Sequence, residues 1–265
     1  MKNILVPTDF SACASYATDA ALQFGRRFAA KVHLLHLLGG AGDDPEAITQ
    51  AAHNAQVLYE DIKQENKDVA MCFEASPGRL IDEVNSYVKQ HGIDLIIMGS
   101  HGLSGKNEYF IGSNTQKVVR RVSCPVLVVK NPFKLDLERV AFAAHFFEEE
   151  KDAFLRFKEF IMPFLPEVHL VEIYTSSLFS PPTALSVDSM QRFEALCAPL
   201  PCKIHIQHDF SVEQGVREFA ENIGAQLICI SNHVRRPLKR MLVGSNVEAL
   251  INHTEIPVLS MDWEG

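Results

Sequence analysis

Asp94-Leu95-Ile96-Ile97-Met98-Gly99-Ser100-His101-Gly102, then nine residues, then Gly112-Ser113, is the stretch of this 265-residue chain that decides its fold. Leu95 to Met98 is short and continuously apolar, as expected of a strand buried on both faces of a parallel sheet. Gly112-Ser113 opens a helical pattern whose apolar positions include Val118, Val119 and Val122. Two segments of backbone N–H groups are therefore expected to converge on one anion, a phosphate cradle on the end of a strand. Glycine suits a cradle because a Cβ would hold amides away from phosphate oxygens and would bar positive φ angles. A helix opening at Ser113 adds its free N–H groups and the positive end of its dipole.

The same spacing returns later with different chemistry. Leu227-Ile228-Cys229-Ile230 leads into Ser231-Asn232-His233-Val234, nine residues, and Gly244-Ser245, so Ser231 and Val234 replace the two loop glycines. Ile4 to Phe10 aligns with Val140 to Phe146, and Lys31 to Leu37 with Glu167 to Ile173, at one offset, 145 − 9 = 136. Gly92 aligns with Gly224, Gly112 with Gly244, and Pro125-Val126-Leu127 with Pro257-Val258-Leu259, at 244 − 112 = 132. A net shortening of four residues between the two blocks falls in loops. A tandem repeat of two similar domains is therefore expected, over residues 1–132 and 137–265, with Asn131-Pro132-Phe133-Lys134 as linker.

In the first copy strands are expected at Asn3 to Thr8, Val32 to Leu38, Asp68 to Ala75, Leu95 to Met98 and Val126 to Val129. Helices are announced by Ser11, by Asp44-Pro45, and by Ser76-Pro77-Gly78 ahead of Leu80. The alternation predicts an α/β fold: two tandem doubly wound domains, each a five-stranded parallel sheet with helices on both faces. Ligands of such sheets bind beyond the carboxyl ends of the strands, where strand order reverses. Asp9 and Gly99 both lie just past such ends.

Composition sets modest limits. With 47% hydrophobic residues the chain can bury two cores. A formal charge of −8 argues against a nonspecific nucleic-acid or membrane-surface role. Arg235-Arg236-Pro237-Leu238-Lys239-Arg240 reads as a solvated loop and helix start. Met1-Lys2 leads straight into a strand, with no signal peptide or membrane span, and a cytoplasmic location is expected. Cys13, Cys72, Cys124, Cys197, Cys202 and Cys229 form no metal-ligand spacing and are expected to be reduced and largely buried.

Ile4-Leu5-Val6-Pro7-Thr8-Asp9-Phe10-Ser11, the Gly99-x-x-Gly102-x9-Gly112-Ser113 pattern and the closing Cys124-Pro125-Val126-Leu127-Val128-Val129 together resemble the universal stress protein family in its tandem, two-domain form. The resemblance covers nearly the whole chain and implies an ATP-binding fold related to adenine-nucleotide α-hydrolase-like domains. It implies ATP, or ADP or AMP, in the first copy, with Mg²⁺ or Mn²⁺ carried on phosphate oxygens and water. Carried over by position, Asp9 lies near the ribose or adenine and Pro7 and Thr8 shape that wall. Leu37 and Met98 flank the adenine, and Gly99, Gly102, Gly112, Ser113 and Asn114 line the phosphates. Asn114 departs from the small or apolar residue often found there. In the second copy Ala143, Ala144, His145, Ser231 and Val234 stand for Pro7, Thr8, Asp9, Gly99 and Gly102, so no ATP is expected there. In family members with one domain the terminal strand commonly dimerises. Here Val126 to Val129 and Val258 to Met261 are expected to pair antiparallel within one chain, a pseudo-dimer that leaves room for a further homodimer.

Plainer readings compete. Asp9 could simply cap the helix that starts near Ser11, although the glycine loop favours a ligand role. His101 is read as a turn residue, since no partner acid or nucleophile is identifiable. A separation of three on a strand sends His33 and His36 to opposite faces, against a metal site. Cys13 is read as packed against the sheet rather than as a reactive thiol. Phe142, Ala143, Phe146, Ile230 and Val234, around the second site, are read as filled core before a pocket. The leading functional reading is a nucleotide-dependent regulatory or stress-response protein. A slow ATP-hydrolysing or adenylyl- or phosphoryl-transfer enzyme is weaker, because no general base, arginine finger or metal-carboxylate pair can be named. A scaffold that binds protein or a lipid-like ligand through its second half is the third.

Overall fold

The computed structural model describes residues 1–39, 44–100, 112–175, 183–233 and 246–263. His101, Gly102, Val234, Gly244, Ser245 and the basic cluster 235–240 lie outside the described residues. The chain divides into two compact units, Met1–Leu135 and Asp136–Gly265.

The first unit runs β1 (Asn3–Thr8), α1 (Ala12–Phe28), β2 (Lys31–Leu37), α2 (Pro45–Glu65), β3 (Met71–Ser76), α3 (Leu80–His91), β4 (Leu95–Gly99), α4 (Ser113–Arg121) and β5 (Val126–Val129). Its sheet order is β3-β2-β1-β4-β5, and the pairs are parallel. The second unit runs β6 (Arg139–Ala143), α5 (Lys151–Ile161), β7 (Glu167–Thr175), α6 (Thr183–Cys197), β8 (Cys202–Asp209), α7 (Val212–Ile223), β9 (Leu227–His233), a helix over residues 246–253, and β10 (Val258–Trp263). Its order, β8-β7-β6-β9-β10, copies the first, again in parallel. The strand order reverses beside β1 and beside β6, and with the right-handedness general to parallel crossovers, connections running outward one way and then the other put helices on both faces.

Local chemistry explains where elements start and stop. Ser11 caps α1 by accepting the Ala14 N–H, Asp44 caps α2 by accepting the Glu46 N–H with Pro45 in the first turn, and Ser211 caps α7 by accepting from Gln214. β3 starts at Met71 rather than Asp68, because Asp68 and Asn66 both hold Arg26 and the Val69 N–H turns back to the Asn66 carbonyl. Three pairs of left-handed residues recur in the two units: Phe10 and Phe146 (φ 58° and 59°), Ala29 and Leu165 (50° and 52°), Gly92 and Gly224 (58° and 63°). Their offsets, 146 − 10 = 136, 165 − 29 = 136 and 224 − 92 = 132, are those of the sequence repeat. Backbone geometry is thus repeated even where side chains are not.

The first core is built on Ile4, Leu5, Leu34, Leu35, Ile96 and Ile97, and the second on an aromatic cluster of Phe142, Phe146, Phe154 and Phe157, all fully buried. The segment expected as linker is fastened to α1. Phe133 stacks on Phe24 with ring centroids 5.9 Å apart, the Gln23 amide donates to the Phe133 carbonyl at 2.6 Å, and Gln23 accepts the Leu135 N–H at 2.9 Å.

All six cysteines are free, but Cys13, Cys72 and Cys202 are only half-buried, against the expectation of largely buried thiols. The turn from α6 to β8 brings the Cys197 and Cys202 sulfurs to 2.6 Å, a proximity that their spacing did not signal. Among the described residues no helix is long and apolar enough to cross a membrane, and no cluster of three His, Cys, Asp or Glu could hold a metal ion. His33 packs beneath α3 against Tyr87, while His36 meets the Thr8 carbonyl and the Phe10 ring, the opposite faces expected.

Candidate functional site at the carboxyl ends of the strands

A cavity of about 140 Å³ opens in the first unit where strand order reverses. Pro7, Thr8 and Asp9 enter it from the end of β1, Leu37 from β2, Met98 and Gly99 from β4, and Gly112, Ser113 and Asn114 from the start of α4. Nine of the ten residues singled out in the sequence therefore line one space, and the tenth, Gly102, lies outside the described residues. Ala14, Leu80 and Thr115 also line it and carried no motif that could announce them.

Asp9 does not cap α1, since Ser11 does. Asp9 instead accepts the Ser11 N–H through Oδ1 at 3.0 Å, while Thr8 Oγ1 accepts the Phe10 N–H at 3.0 Å. These two bonds hold the turn that forces Phe10 into the left-handed region and leave the Asp9 carboxylate on the cavity wall.

The start of α4 is pinned to the end of β4. The Gly112 N–H donates to the Ser100 carbonyl at 2.6 Å, and Thr115 Oγ1 donates to the Gly99 carbonyl at 2.7 Å. The first helical bond runs from the Gln116 N–H to the Gly112 carbonyl, so the amides of Ser113, Asn114 and Thr115 have no partner inside the helix. Free amides at a helix start carry the positive end of the helix dipole. Gly99 has a further reason to be glycine: a Cβ there would overlap the Cys13 carbonyl of α1. Close approach of a helix, not positive φ, makes the requirement.

The second unit keeps a cavity of about 110 Å³ at the matching place. Phe142 and Phe146 are filled core as expected, but Ala143 and Ile230 line this cavity, which corrects the reading of the whole group as core. Ser231 now occupies the Gly99 position (231 − 99 = 132), and the turn before α5, Glu148–Glu150, is wound as a 3-10 helix instead of the α-helical turn found at Ala12.

The model of the universal stress protein family matches residues 1–130 and 179–260 of the chain. Universal stress protein MJ0577 of Methanocaldococcus jannaschii is 33% identical over 153 residues, which is 49% of this chain and 94% of that protein. Universal stress protein YxiE of Bacillus subtilis is 26% identical over 146 residues, 49% of this chain and 99% of that protein. A universal stress protein of known crystal structure from Archaeoglobus fulgidus matches 98% of both chains with a TM-score of 0.80 at 18% identity. A second, described as a putative universal stress protein from Pseudomonas aeruginosa, matches 99% of this chain and 93% of its own with a TM-score of 0.73, also at 18% identity. These two establish likeness of fold.

Proposed function

Because the chain belongs to the universal stress protein family, we propose that its first unit binds an adenine nucleotide and acts as a nucleotide-dependent regulatory or stress-response module. The observation that carries this reading is the first unit's cavity at the reversal of strand order, with a carboxylate, two apolar flanks and the open amides of α4 around it. Asp9 would accept from ribose hydroxyls, Leu37 and Met98 would flank the purine, and Gly99, Gly112, Ser113 and Asn114 would line the phosphates. Cavities of about 150 Å³ take benzene, so this one is of a size to seat a ring system. With no acidic or histidine cluster among the described residues, Mg²⁺ or Mn²⁺ would be held by phosphate oxygens and water. As a switch, the module needs two conformations that differ in nucleotide affinity.

Isothermal titration with ATP should give about one site per chain, and none or two equivalent sites would overturn the reading. Ala14→Glu, which copies the residue of the second unit into the first cavity, should weaken ATP at least about tenfold by charge repulsion and lost space. Asp9→Ala should weaken adenosine as well as ATP. Phosphate release measured in the same samples decides whether bound ATP is turned over. We also propose that β5 and β10, each the last strand in its own unit, pair antiparallel within the chain.

A further inference from the structure

The second cavity carries a chemistry of its own. Five valines and isoleucines, among them Val171, Val216 and Ile230, and two alanines make seven of its eleven lining residues, so it is more apolar than a nucleotide phosphate could use. Into that wall comes Glu150, at the position Ala14 holds in the first unit (150 − 14 = 136) and only 4% exposed. Its Oε2 accepts the Phe147 N–H at 3.0 Å, and among the described residues no lysine or arginine pairs with it. Burial pushes this carboxyl up from its ordinary range, with the Phe147 amide and the charge of His145 opposing. Beside it the Ser231 hydroxyl is buried in the same wall without a hydrogen bond of normal geometry, though near enough to Glu150 to favour its charged form. His145 stands at the mouth, 61% exposed and 3.5 Å from Glu172.

A buried carboxylate with an idle hydroxyl in an apolar chamber wants a donor that brings positive charge, and it repels phosphate. We propose that the second unit binds a small organic ammonium compound with a compact apolar body. The ammonium donates to Glu150 and Ser231, and the hydrocarbon fills the space between Val171, Val216 and Ile230. The tandem chain then carries two ligand sites of opposite charge preference on copies of one fold.

The test is titration of the full chain with 3-methylbutylamine, 3-methylbutanol and 3-methylbutanoate, followed by calorimetry and by chemical shifts of residues around Ile230. The amine should bind at roughly millimolar affinity or tighter, at least about tenfold better than the alcohol, and the acid should not bind. Glu150→Gln should erase the preference of amine over alcohol, and Val216→Phe, which fills the chamber, should abolish both while ATP titrates as in the parent. Equal binding of amine and alcohol, an unchanged preference in Glu150→Gln, or no amine binding by the folded parent would overturn the proposal.

Discussion

At the scale of single residues, the two units differ most where they match best. Ala14 and Glu150 share a position, as do Gly99 and Ser231, and each exchange removes room or adds charge at a strand end. His33 shows the opposite case, a polar residue retained in both copies, since His169 sits 136 positions on (169 − 33 = 136). His33 Nδ1 lies 3.2 Å from the Tyr87 hydroxyl and 3.2 Å from Cys72 Sγ, and its Nε2 lies 3.3 Å from Asn3 Oδ1. Burial, helped by the charges of Lys31 and His91, pushes the His33 imidazole down to about 4. Burial is also the first cause lowering His169 and His205. The unfolded chain therefore takes up protons that the folded one refuses between roughly pH 6.5 and pH 4, so stability is full above that window and falls as the medium is acidified through it. For His33 alone the loss should be about 1 to 3 kcal/mol. Urea midpoints at about pH 7.5 and pH 4.5 check this: His33→Gln should lose less than the parent across the interval, and an equal loss would assign the slope elsewhere.

At the scale of elements, the strands and most caps were legible because their causes are local. Continuous apolar runs gave β1, β4 and β5 to within a residue, and Ser11 and Asp44 cap the helices they were expected to cap. What was not legible is of two kinds: the turn that Arg26 imposes before β3 depends on a contact across 42 residues, while the 3-10 turn before α5 and the meeting of Cys197 with Cys202 are local geometries that no residue pattern marks. The left-handed ends of helices are intermediate, since Gly92 and Gly224 were matched as a pair but Ala29 and Leu165 carry no mark. Ala29 closes α1 at φ 50° with its N–H on the Gly25 carbonyl, and it is exposed, so its methyl group packs on nothing that would be missed. Ala29→Gly should stabilise the first unit by about 0.5 to 1 kcal/mol, the relief of the left-handed strain less the added freedom of the unfolded chain. Gly92→Ala is the reciprocal case. No atom lies within 4 Å of a Cβ placed there, so a cost of about 1 kcal/mol would report φ alone. Thermal midpoints moving the same way in both variants would refute the assignment.

At the scale of the whole molecule, the repeat was readable because one offset, 136, holds through β1 and β2 and another, 132, through β4 and β5. The chain divides after Leu135, beyond the expected linker, because Phe133 is drawn onto Phe24 and Gln23 grips the backbone on either side of Lys134. The remaining question at this scale is what β5 and β10 do with their outer edges. Within its unit β5 follows β4 and β10 follows β9, each at the end of that unit's order, and an apolar strand at the end of a sheet invites another strand. Tethering two such edges on one chain raises their effective concentration and favours an internal, pseudo-twofold pair over pairing between molecules. Cysteines introduced at Val128 and Ser260 should then cross-link within a single chain at high dilution, with peptide mapping to separate the new bridge from the native thiols. Linkage found only between chains, or a rate that rises in proportion to protein concentration, would show that the strands seek partners outside and would remove the internal pair.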